Sequence, residues 1–268
     1  MENHVQFLSG VSAGAEALLL APVWQQHKQV LFLVPNETRL AFLRDVFRLT
    51  APKRRVMTLS AWDTVPYDRT APAPEIVGRR VDTLTALAEQ PDQPFILIAT
   101  VSAWLQRVPE PAFFRQGVRH IRVGETISFD ALRTFLTHVG YRPAETVMES
   151  GDFAVRGGLI DVFPAGAEMP VRLDFFGDEV DSMRRFDPAT QRTTQATDTL
   201  TLKPMREFIL TPETVSHFRA RYRELFDRHP DDVFYQAVSE NRYVQGLEHF
   251  LPLFHTHMAT VGDYVPQA

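Results

Sequence analysis

The chain contains no cysteine. That single absence removes disulfides, thiolate zinc sites and cysteine nucleophiles together, and it fits a reducing compartment. No uninterrupted apolar run approaches the ~20 residues a membrane helix needs, so no membrane span is expected. The first residues, MENH, lack the basic segment and apolar run of a secretory leader. A surplus of basic residues is missing as well. Lys and Arg number 28 against 33 Asp and Glu, for a net charge of −5, so bulk charge offers phosphate backbones no general attraction. The reading is a soluble, cytoplasmic, monomeric protein. With 268 residues, 44% hydrophobic and 23% charged, the chain is long enough to bury a core without metal or disulfide support.

There is no internal repeat and no low-complexity tract, but the texture changes along the chain. Residues 30–34 (VLFLV) form a short apolar run ending at Pro35-Asn36, the pattern of a strand buried on both faces. Asn36 can cap a following helix whose apolar stripe is Leu40, Leu43, Val46 and Phe47. Residues 56–59 and 95–99 (FILIA) predict further strands, and 76–87 and 101–105 predict helices. Strands alternating with helices argue for a parallel sheet.

Beyond the PEP sequence at 109–111 the strands become amphipathic. A helix is predicted over 128–139, capped by Ser128 and stopped by Gly140. Strands are predicted at 141–148, 152–156, 159–163, 171–176 and 179–186, separated by glycine-bearing turns. After Pro204 helices return, one of them opened by Thr211-Pro212. The predicted architecture is an α/β domain built from 1–118 and 204–268, the latter truncated, and interrupted at 119–203 by a smaller α+β domain with an antiparallel sheet.

Catalytic patterns are weak. A phosphate-binding GxxxxGK[ST] loop would fall at 10–17, where the sequence reads GVSAGAEA. Gly10 and Gly14 keep the outline, but Glu16 stands at the lysine position and Ala17 at the metal-ligating hydroxyl, so the carboxylate would repel triphosphate. No cofactor is expected. His255 and His257 have metal-like spacing in what reads as a terminal loop, His120 and His138 read as surface residues, and the acid pairs Asp178-Glu179 and Asp231-Asp232 fall at turns.

The most specific signal is FAVRGGLIDVFP at 153–164, then VRLDFFGDEV at 171–180, FDP at 186–188 and QR at 191–192. This ordered series resembles domain 2 of the UvrB and transcription-repair coupling factor (Mfd) families, with weaker similarity through WDTVPYD at 62–68 and ALR at 131–133. Two features favour the coupling factors. UvrB keeps an intact ATP-binding loop, whereas the UvrB-like N-terminal part of a coupling factor carries a decayed one, as at Glu16 and Ala17. UvrB also inserts an aromatic-rich hairpin that grips damaged DNA, and the stretch after Tyr67 has no room for one.

The resemblance implies a degenerate, RecA/helicase-like nucleotide-binding fold without ATPase activity, carrying a UvrA-binding domain. Family members are longer ATP-dependent DNA translocases that also engage RNA polymerase, DNA and an intramolecular C-terminal domain covering the same face, so the chain reads as part of such a protein. Motif matching places the family's UvrA-contact positions at Arg156, Arg172 and Phe176. Strand alternation agrees: Val171, Leu173 and Phe175 form a core face, leaving Arg172, Asp174 and Phe176 on the other, with Phe176 ~13 Å along from Arg172. Alternation alone also allows Phe176 to cover a second small core under the 128–139 helix, and Arg172 simply to pair with Asp174 or Glu179. Asp161 and Asp174 are the acids placed to organise the arginines. Two rival readings are a vestigial nucleotide-binding domain and a DNA binder acting through Arg54-Arg55 and Arg184-Arg185.

Overall fold

The computed structural model describes residues 9–65, 70–226 and 232–265. The start of the chain, the end of the WDTVPYD motif with Tyr67, and Asp231 of the Asp231-Asp232 pair lie outside the described residues.

The chain begins with α1 (Ala15–Leu19), α2 (Ala21–Gln26), β1 (Gln29–Val34), α3 (Glu37–Thr50), β2 (Arg55–Leu59), α4 (Pro74–Glu89) and β3 (Phe95–Thr100). The three strands pair in parallel in the order β1-β3-β2. Asn36 caps α3 through a bond from the Arg39 amide at 2.9 Å. Every residue of β3 is buried. Its apolar run still alternates: Ile96 and Ile98 pack with Leu40, Leu43 and Phe47 of α3, while Phe95, Leu97 and Ala99 pack with Val81, Leu84 and Leu87 of α4. β1 does not meet the same expectation. It is an edge strand, and Leu33 is 46% exposed.

Next come α5 (Val101–Leu105), β4 (Val108–Pro109), α6 (Pro111–Gly117), β5 (Arg119–Arg122), α7 (Phe129–His138) and β6 (Arg142–Pro143). The following strands are β7 (Asp152–Arg156), β8 (Leu159–Val162), β9 (Val171–Phe176), β10 (Glu179–Phe186), β11 (Thr193–Ala196) and β12 (Thr199–Leu202). A six-stranded sheet runs β11-β10-β9-β8-β7-β6, antiparallel except at β6–β7. β5 and β12, the way in and the way out, pair as a separate ribbon.

Ser128 caps α7 by accepting from the Ala131 amide, and Gly140 follows at φ +96°, a left-handed position that glycine adopts without strain. Leu132 and Leu136 of α7 bury the inner sheet face with Ile160, Leu173, Phe175, Val180 and Met183. The strand expected over 141–148 shrinks to Arg142–Pro143. The Arg142 and Ala144 amides still donate to the Gly151 and Phe153 carbonyls, and beyond them the chain folds across the outer sheet face, where Val147 packs with Ala154, Phe163 and Phe186.

The chain closes with α8 (Pro212–Leu225), α9 (Val233–Ser239), 3-10 turns at Leu247–Leu253 and Val261–Tyr264, and β13 (Met258–Ala259). Thr211 and Thr214 form a capping box at the start of α8. An aromatic cluster of Phe208, Phe218, Tyr222 and Phe254 joins these helices. β13 then pairs with β4, and Ala259, Val261 and Tyr264 complete the core around Leu97 and Val81.

Arg80 of α4 and Glu207 after β12 form a fully buried ion pair at 2.5 Å, and Arg80 also donates to the Ser60 carbonyl at 2.7 Å. No described helix is long and apolar enough to cross a membrane.

Candidate partner-binding face

The outer face of the six-stranded sheet is set by its register. Arg156 lies opposite Leu159, Leu159 opposite Asp174, and Asp174 opposite Ser182. In the adjacent row Ala154, Asp161, Arg172 and Arg184 follow across the strands, and Phe176 faces Glu179 at the open end. Directly opposed residues share a face, so Arg156, Arg172 and Phe176 stand together on one side of the sheet. Alternation within β9 could not place Arg156, which abuts Gly157 and Gly158. The Arg156–Leu159 pairing does so.

Phe176 is 84% exposed. It covers no second core. That position belongs to Phe175, whose ring meets Phe129 of α7 edge-on at 5.2 Å. Arg172 pairs with neither Asp174 nor Glu179. Its Nε and Nη2 donate to the two carboxylate oxygens of Asp161 at 2.7 and 2.8 Å, a bidentate geometry. The guanidinium carbon lies 4.9 Å from the Phe186 ring centroid. The bond to Asp161 holds the Arg172 proton more firmly than usual, raising its pKa against the opposing effect of burial. Arg156 is tied down differently, donating from Nη2 to the Glu145 carbonyl and to Thr146 Oγ1, the latter at 3.1 Å. Asp174 is exposed, and among the described residues it forms no ion pair.

Sequence patterns gave no hint of Phe186, Leu159 and Gln191 as neighbours of this face. Phe186 lies on the adjoining strand and Gln191 in the turn after it, donating from Nε2 to the Val147 carbonyl at 3.1 Å. The FDP and QR motifs mark both residues, but spacing alone does not say what they touch.

The glycine loop at 10–17 sits apart, on the first sheet. Gly14 has φ +88° and caps α1. The Glu16 carboxylate is ion-paired with Arg39 of α3, and Ala17 is fully buried. The negative charge of Glu16 is thus neutralised from within the chain. His255 is not in an open loop: its Nε2 bonds the Glu207 carbonyl at 2.8 Å, and burial pushes its pKa down. Among the described residues no group of three or more His, Asp or Glu side chains could hold a metal ion. The two basic neighbourhoods lie on different sheets. Arg54 donates to the Lys28 and Gln25 carbonyls and Arg55 to Gln90, while Arg184 and Arg185 lie on β10.

The sheet, its covering helix and this charged outer face fall within the segment that a family model matches. Residues 120–208 match the family described as the UvrB interaction domain. The chain is 35% identical over 268 residues to the transcription-repair-coupling factor of Haemophilus influenzae, covering 99% of this chain and 23% of that protein. It is 36% identical over 253 residues to that of Escherichia coli, covering 93% of this chain and 22% of that protein. With the Myxococcus xanthus protein of the same name it shares 34% over 230 residues, covering 84% of this chain and 19% of that protein. The chain belongs to the transcription-repair coupling factor family, corresponding to its N-terminal UvrB-like module. It spans about a fifth to a quarter of the length of these relatives.

Proposed function

We propose that this chain is a non-catalytic adaptor of transcription-coupled nucleotide excision repair, binding UvrA through the outer face that carries Arg156, Arg172 and Phe176. The observation that carries the reading is Phe176: a phenylalanine 84% exposed at the open end of a sheet, on the same face as two arginines already held by their own chain. Aromatic and arginine side chains grouped on one rigid face are the usual composition of a binding hot spot. The match of residues 120–208 to the UvrB interaction domain family supports UvrA as the partner.

In this reading residues 1–118 and 204–268 form a degenerate nucleotide-binding-like domain, whose role is to present the domain at 119–203. The β4–β13 pairing, which returns the C-terminal segment to the first part, supports the division. The Glu16–Arg39 pair and buried Ala17 support a loop that no longer takes nucleotide. Contacts with RNA polymerase and DNA, and a C-terminal domain covering the same face, belong to the longer protein. The order of events is then recruitment: polymerase stalls at a lesion, the translocase displaces it, and this module delivers UvrA.

Purified UvrA titrated against this chain tests the reading. Binding should need no ATP, and a folded Arg172→Ala, Phe176→Ala variant should lose at least about thirtyfold in affinity, or ~2 kcal/mol. Equal binding by both proteins would move the contact elsewhere, and no binding by either would remove the recruitment role from this module.

A further inference from the structure

The FDP and QR motifs take no direct part in the proposed contact face, yet they lie against it. Asp187 Oδ1 accepts from the Ala189 and Thr190 amides, each at 2.8 Å, forming a tight turn after β10. Gln191 then adopts φ 61°, a left-handed conformation uncommon outside glycine. From there its Nε2 donates to the Pro188 carbonyl at 2.7 Å and to the Val147 carbonyl at 3.1 Å. The turn is thereby fastened to the segment that crosses the sheet, and Val147, Ala154, Phe163 and Phe186 are packed beneath. Phe186 is fully buried, and Arg172 lies over its ring.

Asp161 is 3% exposed, and among the described residues the hydrogen bonds its carboxylate accepts come from Arg172. Burying a carboxylate to meet one arginine that is itself 23% exposed is a poor way to stabilise a sheet, since apolar residues of similar size serve as well or better. The arrangement does achieve something else. Arg172 is held along one edge by a carboxylate and beneath by an aromatic ring. Among the described residues two of its five N–H donors are used, leaving three for a ligand.

We propose that Asp161 and Phe186 are positioning residues that hold Arg172 in one orientation before the partner arrives, so that its remaining donors meet a carboxylate or main-chain carbonyl oxygen without an ordering cost. The turn through Asp187 and Gln191 is the support that keeps the Phe186 ring in place. Preorganisation of this kind raises affinity by sparing the rotamer freedom an arginine otherwise loses on binding. The inference rests on the reading that Arg172 belongs to the UvrA-binding face.

The test combines Asp161→Asn, Asp161→Glu and Arg172→Ala variants of this chain, each checked for folding by circular dichroism. Two quantities are read: affinity for purified UvrA, and the Arg172 Nε–H signal in ¹H–¹⁵N spectra, assigned by its absence from R172A. D161N should shift or broaden that signal and weaken binding about tenfold, comparable to releasing one rotamer-rich side chain. D161E should recover part of both. A changed signal with wild-type affinity would overturn the positioning role, as would weakened binding with the signal unchanged. Wild-type affinity in R172A would overturn the choice of face itself, and the positioning role with it.

Discussion

Phe175 and Phe176 are consecutive residues of β9 with opposite environments: the first is 8% exposed against Phe129 of α7, the second 84% exposed on the outer face. Strand geometry alone separates them. Phe175→Ala should cost ~3–5 kcal/mol, through lost burial and the cavity left under α7. Phe176→Ala should change stability by less than ~0.5 kcal/mol. Urea unfolding of both variants checks this, and a destabilised Phe176→Ala would mean that the ring is used within the chain.

A second prediction concerns Arg80 and Glu207, which bridge α4 and the segment after β12 with both side chains almost wholly buried. Glu207→Gln leaves a buried guanidinium without its counter-charge, and should cost ~3–5 kcal/mol. Replacing both partners together, as Arg80→Met with Glu207→Leu, should recover most of that loss, because the desolvation penalty goes with the charges. Denaturant midpoints of the three proteins distinguish the cases. A double variant as unstable as the single one would show that the Ser60 and Trp62 contacts of Arg80 dominate instead.

Tyr141 sets a limit in alkali. Burial pushes its phenol up to about 12, while the oxygen accepts from the Ala165 amide at 3.2 Å. The folded state therefore favours the neutral phenol. That contribution is complete below the unfolded value near ~10 and is lost as pH rises from there through about 12. The unfolding midpoint should fall over this window. Tyr141→Phe should flatten the fall, at a cost of ~1 kcal/mol at neutral pH from the unpaired Ala165 amide. Identical alkaline profiles for the two proteins would assign the loss to other groups.

Calorimetric titration with Mg-ATP or Mg-ADP should give no binding isotherm. Glu16 brings a carboxylate that repels phosphate and already engages Arg39, and Ala17 has no hydroxyl for the metal. A measurable isotherm would revive the vestigial nucleotide-binding reading.

Much of this was legible in linear form. The apolar run of β3, the capping residues Asn36, Ser128 and Thr211, and the alternation in β9 each depend on neighbours within a few positions, so local pattern suffices. The expected strand over 141–148 failed for a non-local reason. Val147 was apolar because it covers Phe186, about forty residues away, rather than because it faces a core as part of a strand. In sequence, Asp161 and Asp174 are both acids able to organise the arginines, and Asp174 is the nearer to Arg172. The β8–β9 register put Asp161 directly opposite Arg172.

By itself, then, the amino-acid sequence determined the chemistry available: no thiols, a carboxylate in the glycine loop, and an arginine and a phenylalanine on the polar side of one strand. These follow from residue identity and from the twofold period of a strand, which need no knowledge of the rest of the chain. Tertiary structure alone decided which acid holds Arg172, which ring lies under it, and how Glu16 is neutralised by Arg39. Each of those contacts joins residues from separate elements, and only the register between strands and the packing of helices on sheets bring them together.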